Sequence, residues 1–100
     1  MQNHTKVYMN FFGYDISDTI LCEMCSAVAC DIHHIEKRNK TKNDYIENLI
    51  ALCRDCHINA ESDTSFNSYC RIEHLELVCR YIYALIDLNK KLNENRKQIN

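Results

Sequence analysis

Two pairs of cysteines, Cys22-Glu-Met-Cys25 and Cys53-Arg-Asp-Cys56, carry the clearest chemistry in the chain. Each pair can grip a metal from a tight turn, and together they make a tetrahedral thiolate set of the structural zinc type. Redox pairs and buried free thiols are the alternatives. A redox reading needs a thioredoxin-like βαβ setting, which the sequence lacks. Between the pairs runs the stretch Cys30-Asp-Ile-His-His-Ile-Glu-Lys-Arg38. Its adjacent His33 and His34 read as two metal ligands, as a ligand beside a base, or as a surface pair. On an extended strand, neighbours point to opposite faces, so the two rings should not share one task. Farther along, His57 and Glu61 stand one helical turn apart, on one face of any helix that holds them.

These groups need elements to position them. Residues 27–35 are β-prone, residues 36–45 are polar and loop-like, residues 48–53 form a second apolar run, and residues 54–63 fit a helix. The order is strand, loop, strand, helix. Ahead of it, Val7, Tyr8, Phe11, Phe12 and Tyr14 recur at helical spacing and predict a short helix ending at Gly13. Behind it, residues 64–97 read as a long helix with Thr64 or Ser65 as its cap. Leu75, Val78, Ile82, Leu85 and Leu92 mark its apolar stripe, with Asn89 on the same line. The fold class expected is α+β: one domain over residues 1–100, with a core motif at 22–62 and a C-terminal helical region at 64–97.

The bulk numbers narrow the setting. A chain of 100 residues has a small core and gains from a metal staple. Seven cysteines, an odd count, argue for metal before disulfides. No apolar run is long enough for a signal peptide or a membrane span, so the expected compartment is cytoplasmic and reducing. A net charge of −2 neither favours nor excludes a nucleic-acid partner. Cys30, Cys70 and Cys79 have no partner at ligand spacing and are expected as small core residues. His4 and His74 lack companions in the sequence and are expected at the surface.

Taken in order, the cysteine pairs, His33-His34, Asn48 and the Cys56-His57 pair resemble the HNH endonucleases, with their ββα-metal fold. The likeness runs from Cys22 to about Glu61 and is strongest to the short zinc-stapled HNH proteins of bacteria and their phages. The resemblance implies a small zinc-stapled ββα-metal domain, here flanked by N-terminal and long C-terminal helices. It also implies roles. His34 matches the general base that activates water, and His33 matches the metal ligand before it. Asn48 matches the residue that holds the loop and the base, and His57 matches a second ligand. Glu61 falls where some relatives place a further histidine ligand.

Such roles suit phosphodiester hydrolysis. The reaction needs a base near neutral pH, which histidine supplies, and a cation to stabilise the phosphorane charge and the departing oxygen. For both rings to reach one cleft, a bulge or a strand end is expected at 33–35. Asp31 shares a face with His33 by period two and is expected to support that ring, with a Lys or Arg pairing as the alternative. Lys37, Arg38, Lys40, Lys42 and Arg54 form a cationic surround suited to phosphate contact, opposed by Glu36, Asp44 and Glu47.

The expected function is a metal-dependent DNA endonuclease using Mg, Mn, Ni or Zn at the reacting centre and zinc at the four cysteines. The DNA is expected to be double-stranded and read with little sequence specificity, since no recognition helix is apparent. The alternatives are a non-catalytic zinc module that binds nucleic acid or protein, and an RNA nuclease. The last helix is expected to cover the core, with a helix–helix dimer as the second reading.

Overall fold

The computed structural model of the protein describes residues 1–38 and 43–99, the last three by backbone alone. Lys40 and Lys42 lie outside the described residues. The chain runs α1 (Asn3–Phe12), β1 (Asp31–His34), a 3-10 turn (Ile46–Asn48), β2 (Leu49–Leu52), α2 (Arg54–Ser62) and α3 (Thr64–Ile99). Among the described residues, no helix is long and apolar enough to cross a membrane.

β1 and β2 pair antiparallel, with Asp31 opposite Leu52, Ile32 opposite Ala51, His33 opposite Ile50 and His34 opposite Leu49. All four residues of β2 are buried. Helices therefore cover both faces of this two-stranded sheet, and the period of two sorts its side chains into two cores. Leu49 and Ala51 meet Tyr8 of α1, with Val7, Phe12 and Ile32 around them. Ile50 and Leu52 meet Cys22, Ile35, Ala60 and Cys70 on the side of α2 and α3. The same alternation divides the histidine pair between the two sides. Of the two irregularities expected at 33–35, the strand end is the one found: the register is regular through His34 and the strand ends there.

The helix ends follow from local chemistry. Gly13 closes α1 at φ +74°, the left-handed conformation in which glycine pays no Cβ penalty. Cys53 caps α2, its sulfur accepting the Cys56 N–H at 3.5 Å. The cap of α3 is Asp63, not Thr64 or Ser65. Its Oδ1 accepts the N–H groups of Ser65 (2.9 Å) and Phe66 (3.3 Å). With one residue between α2 and α3, the turn between them is sharp.

α3 packs along a different line from the one its leucines suggest. Cys70, His74 and Val78 are buried at four-residue steps, with Phe66 packed at the start of the same line. Of the leucine stripe, Val78 alone is covered. Ile82, Leu85 and Leu92 are 42%, 47% and 49% exposed. Helical packing on the core therefore holds for the first four turns or so, and the rest of α3 extends the molecule to 57 Å.

His74 was expected at the surface and is fully buried. Its Nε2–H donates to the Ile46 carbonyl at 2.6 Å, and its Nδ1 shares a proton with Glu23 at 2.9 Å. The other Glu23 oxygen accepts the Tyr8 hydroxyl at 2.7 Å. A buried polar group costs little once paired, so this histidine belongs inside despite its type. Cys70 is buried as expected, whereas Cys30 and Cys79 are exposed, because they fall on solvent faces of their segments.

Candidate metal centres and active site

The first cysteine pair sits in a knuckle between Leu21 and Val28, which face each other in an isolated bridge. Within it the Cys22 N–H donates to the Ala27 carbonyl and the Ser26 N–H to the Cys22 carbonyl. Ser26 takes φ +68°, which a short polar side chain tolerates better than most and which these bonds hold in place. The Glu23 N–H reaches the Ala51 carbonyl at 3.0 Å and fixes the knuckle to β2. The second pair follows the same end of β2, with Cys53 as the cap of α2 and Cys56 on its first turn.

The four sulfurs converge, each within 4.8 Å of the others, with Cys25 and Cys53 at 3.5 Å. Tetrahedral zinc at a Zn–S length of about 2.3 Å needs sulfurs roughly 3.8 Å apart, so the set fits the ion. The protonation chemistry agrees. Burial pushes the Cys22 thiol up, but the N–H groups of Cys53, Met24 and Cys25 outweigh it and bring it down to about 7. Burial and its neighbouring thiols push Cys56 well up. The Ala27 N–H lowers Cys25, yet Cys53 and Cys22 leave it raised. One thiolate is easy here and four are not, unless a cation compensates them. The four cysteines fit a zinc-stapled ββα frame.

On the α2–α3 side of β1, His33, His57 and Glu61 bring one ligand atom each within 4.8 Å of one another. Their hydrogen bonds decide which atoms face inward. Asn67 of α3 donates its Nδ2–H to the Ile35 carbonyl at 2.7 Å, which turns its Oδ1 to His33 Nε2 at 2.9 Å. That oxygen can only accept, so the His33 proton sits on Nε2 and the Nδ1 lone pair faces Glu61, 3.6 Å away. Asp31 Oδ2 accepts from His57 Nδ1 at 3.1 Å, which turns Nε2 toward Glu61 Oε1 at 3.2 Å. Two ring lone pairs and a carboxylate oxygen thus converge with no donor among them. A divalent cation satisfies such a set, and the Asp31–His57 pairing is the support that metal-bound histidines use. Burial lowers His33 against the raising effect of Asn67, so the neutral, ligating form is favoured.

Asp31 therefore supports His57, not His33, although it lies on the His33 face as its spacing predicts. Asn67 takes the place beside His33. It lies in a region without a recognisable motif and gave no signal beyond being polar.

His34 points to the α1 side. Its Nε2–H donates to Asp44 Oδ1 at 2.8 Å, which leaves Nδ1 as the acceptor. Asp44 is held in turn by Asn3 Nδ2–H at 3.1 Å. The His34 hydrogen bond and then the Asn3 hydrogen bond hold the Asp44 carboxyl below its ordinary range. Asp44, counted in the sequence only as a charge opposing the loop cations, is thus the partner of His34. His4, expected at the surface, is half-buried over the His34 ring, with centroids 4.6 Å apart.

Asn48 is fully buried, and its side-chain hydrogen bonds go to the loop backbone. Its Oδ1 accepts the Glu36 N–H at 2.7 Å, and its Nδ2 donates to the carbonyls of Glu36 and Asn43 at 3.0 and 3.1 Å. It fastens both ends of the loop that leaves His34. A cavity of about 440 Å³ is lined by His33, His34, His57, Glu61, Lys37 and Arg38 among others, so both histidines reach one space from the strand end. Arg54 is exposed at the start of α2 and does not line it.

Residues 22–63 match the HNH endonuclease family model. The four-cysteine frame, the histidine pair, Asn48 and His57 all fall inside the matched stretch. No curated protein and no solved structure matches the chain. The matched family is one of nucleases that use divalent metals, and nucleic acid is the substrate class that the match implies.

Proposed function

We propose that the protein is a metal-dependent endonuclease that hydrolyses DNA phosphodiester bonds, with His34 as general base and the chain acting as one catalytic unit. The observation that carries this reading is the convergence of three acceptor atoms, from His33, His57 and Glu61, in the cavity that His34 also lines. A divalent cation held there supplies charge stabilisation at the phosphate and at the departing 3'-oxygen. The protein's own part is positional. Asp44 takes the Nε2–H of His34 and so presents the Nδ1 lone pair to a water. Asn48 keeps the following loop closed, which fixes where His34 ends its strand. Lys37 and Arg38 line the same cavity and suit phosphate oxygens. Zinc at Cys22, Cys25, Cys53 and Cys56 holds the frame. The products expected are a 5'-phosphate and a 3'-hydroxyl.

The test is nicking of supercoiled plasmid with Mg, Mn, Ni or Zn, beside His34→Ala. Metal-dependent nicking that is lost in the variant supports the mechanism, and nicking that survives overturns it. No nicking with any metal, on DNA or RNA, favours a non-catalytic zinc module.

A second copy of the chain is the proposed partner of the exposed part of α3. Ile82, Leu85, Asn89 and Leu92 follow a three–four spacing, are exposed, and project beyond the packed turns. Two nicking centres brought together would suit a double-strand break. Sedimentation showing a monomer at high micromolar concentration removes this part.

A further inference from the structure

We propose that His4, His34 and Asp44 form a second divalent-metal site, selective for a transition ion such as zinc, whose filling switches His34 off. One ligand atom from each of the three lies within 4.8 Å of the others, and the set is separate from that of His33, His57 and Glu61. Two imidazoles and one carboxylate suit zinc, nickel or copper and are a poor match for magnesium.

The surroundings are organised for it. Asn3 holds Asp44 Oδ2, which turns Oδ1 inward to His34. The strand end fixes His34, and α1 brings His4 over it. The His34 and Asp44 side chains are only 15% and 8% exposed, so few waters compete for their atoms. Among the described residues, Arg38 opposes a cation there, since its charge acts on both His4 and Asp44. His4 lies outside the matched residues 22–63, so this site depends on a segment that the HNH stretch does not include.

The consequence for His34 rests on its proposed role as base. In the hydrogen-bonded state the ring proton is on Nε2, between His34 and Asp44. Coordination through Nε2 takes that position, and the one proton of the neutral ring moves to Nδ1. No proton is gained or lost by the ring. The lone pair that would accept a proton from water is gone, because Nδ1 now carries the hydrogen. The same metal that completes the reacting centre at low concentration therefore inhibits at high concentration.

The experiment is equilibrium dialysis of the full chain, its cysteine site loaded, against zinc alone, for wild type, His57→Ala and His4→Ala. Wild type should bind one equivalent more than His4→Ala, and His57→Ala should keep the equivalent that His4→Ala loses. Equal zinc counts in wild type and His4→Ala overturn the site, whatever the nuclease activity. In manganese-supported nicking, added zinc should inhibit wild type. His4→Ala should raise the half-inhibiting concentration about tenfold or more with its zinc-free rate retained. Zinc bound as described without inhibition of a manganese-supported nicking reaction overturns the switch. Arg38→Gln should tighten the site, and unchanged or weaker zinc binding in that variant counts against the placement. An absence of nicking in every condition bears on the nuclease reading, since the dialysis decides the metal site without it.

Discussion

The two histidine–carboxylate clusters on either side of β1 use the same residue types and differ in where their protons lie. On the α2–α3 side, each ring passes its N–H outward, His33 to Asn67 and His57 to Asp31, and the acceptors are left facing one another. On the α1 side, His34 keeps its N–H in the cluster and gives it to Asp44. The first arrangement suits a cation. The second is satisfied as a hydrogen bond and leaves a lone pair elsewhere on the ring. The proposed ligand and the proposed base can therefore be adjacent in sequence, because the strand's alternation gives each its own set of neighbours.

The most severe way to break the comparison is to remove what holds both clusters. Cys53→Ser takes away a proposed zinc ligand and the cap of α2 together. Since structural zinc contributes on the order of 10 kcal/mol, the middle of the chain should unfold and release its zinc. Circular dichroism with metal analysis checks this. Next, His34→Ala and His33→Ala should separate the two roles. The first should lower nicking by about 10²–10⁴-fold while manganese binding, followed calorimetrically, stays. The second should lose the manganese binding itself.

Smaller effects sharpen the contrast. Asp31→Ala and Asn67→Ala should each weaken manganese binding by about 10–100-fold, through the orientation and tautomer of His57 and His33. Asp44→Asn, acting on the other cluster, should leave that binding alone and reduce turnover.

A pH series tests the electrostatics. His33 lies below its ordinary value of 6.5 because it is buried. Protonation opposes ligation, so through His33 metal affinity is steady above 6.5 and falls only at lower pH. The stability term has the same sign. The unfolded chain takes the proton first, so stability falls as pH drops from 6.5 toward the depressed value. The slightest effect is expected from Arg38→Gln, which should reduce the salt slope of DNA binding by about one phosphate contact.

Much of this arrangement was legible in the sequence, because its signals are local. The cysteine spacing, the apolar run at 48–53, the Gly13 stop and the His57–Glu61 step each depend on residues within a turn or two of one another. What was hidden depends on contacts between distant segments. Asn67 and His33 are 34 residues apart, and His74 and Glu23 are 51 apart. No periodicity reports such pairs. The leucines of α3 misled for a related reason. Their spacing is a sound helix signal, but only tertiary packing decides which face is covered, and here Cys70 and His74 took the place of Leu75 and Ile82. Asp44 was visible as a charge, but not as a partner of His34, because the loop's path was not.

Glu23 sits between the cysteines of the first knuckle and grips one residue from each flanking helix, Tyr8 through one oxygen and His74 through both. His74 in turn holds the Ile46 carbonyl, two positions before Asn48. α1 and α3 are therefore joined to the first knuckle through this acid, and to each other by the rings of Phe11 and Phe12 against Tyr81 as well. Cutting away the first dozen residues would strand that acid, loosen its grip on His74 and be felt at the loop behind His34, far from the cut.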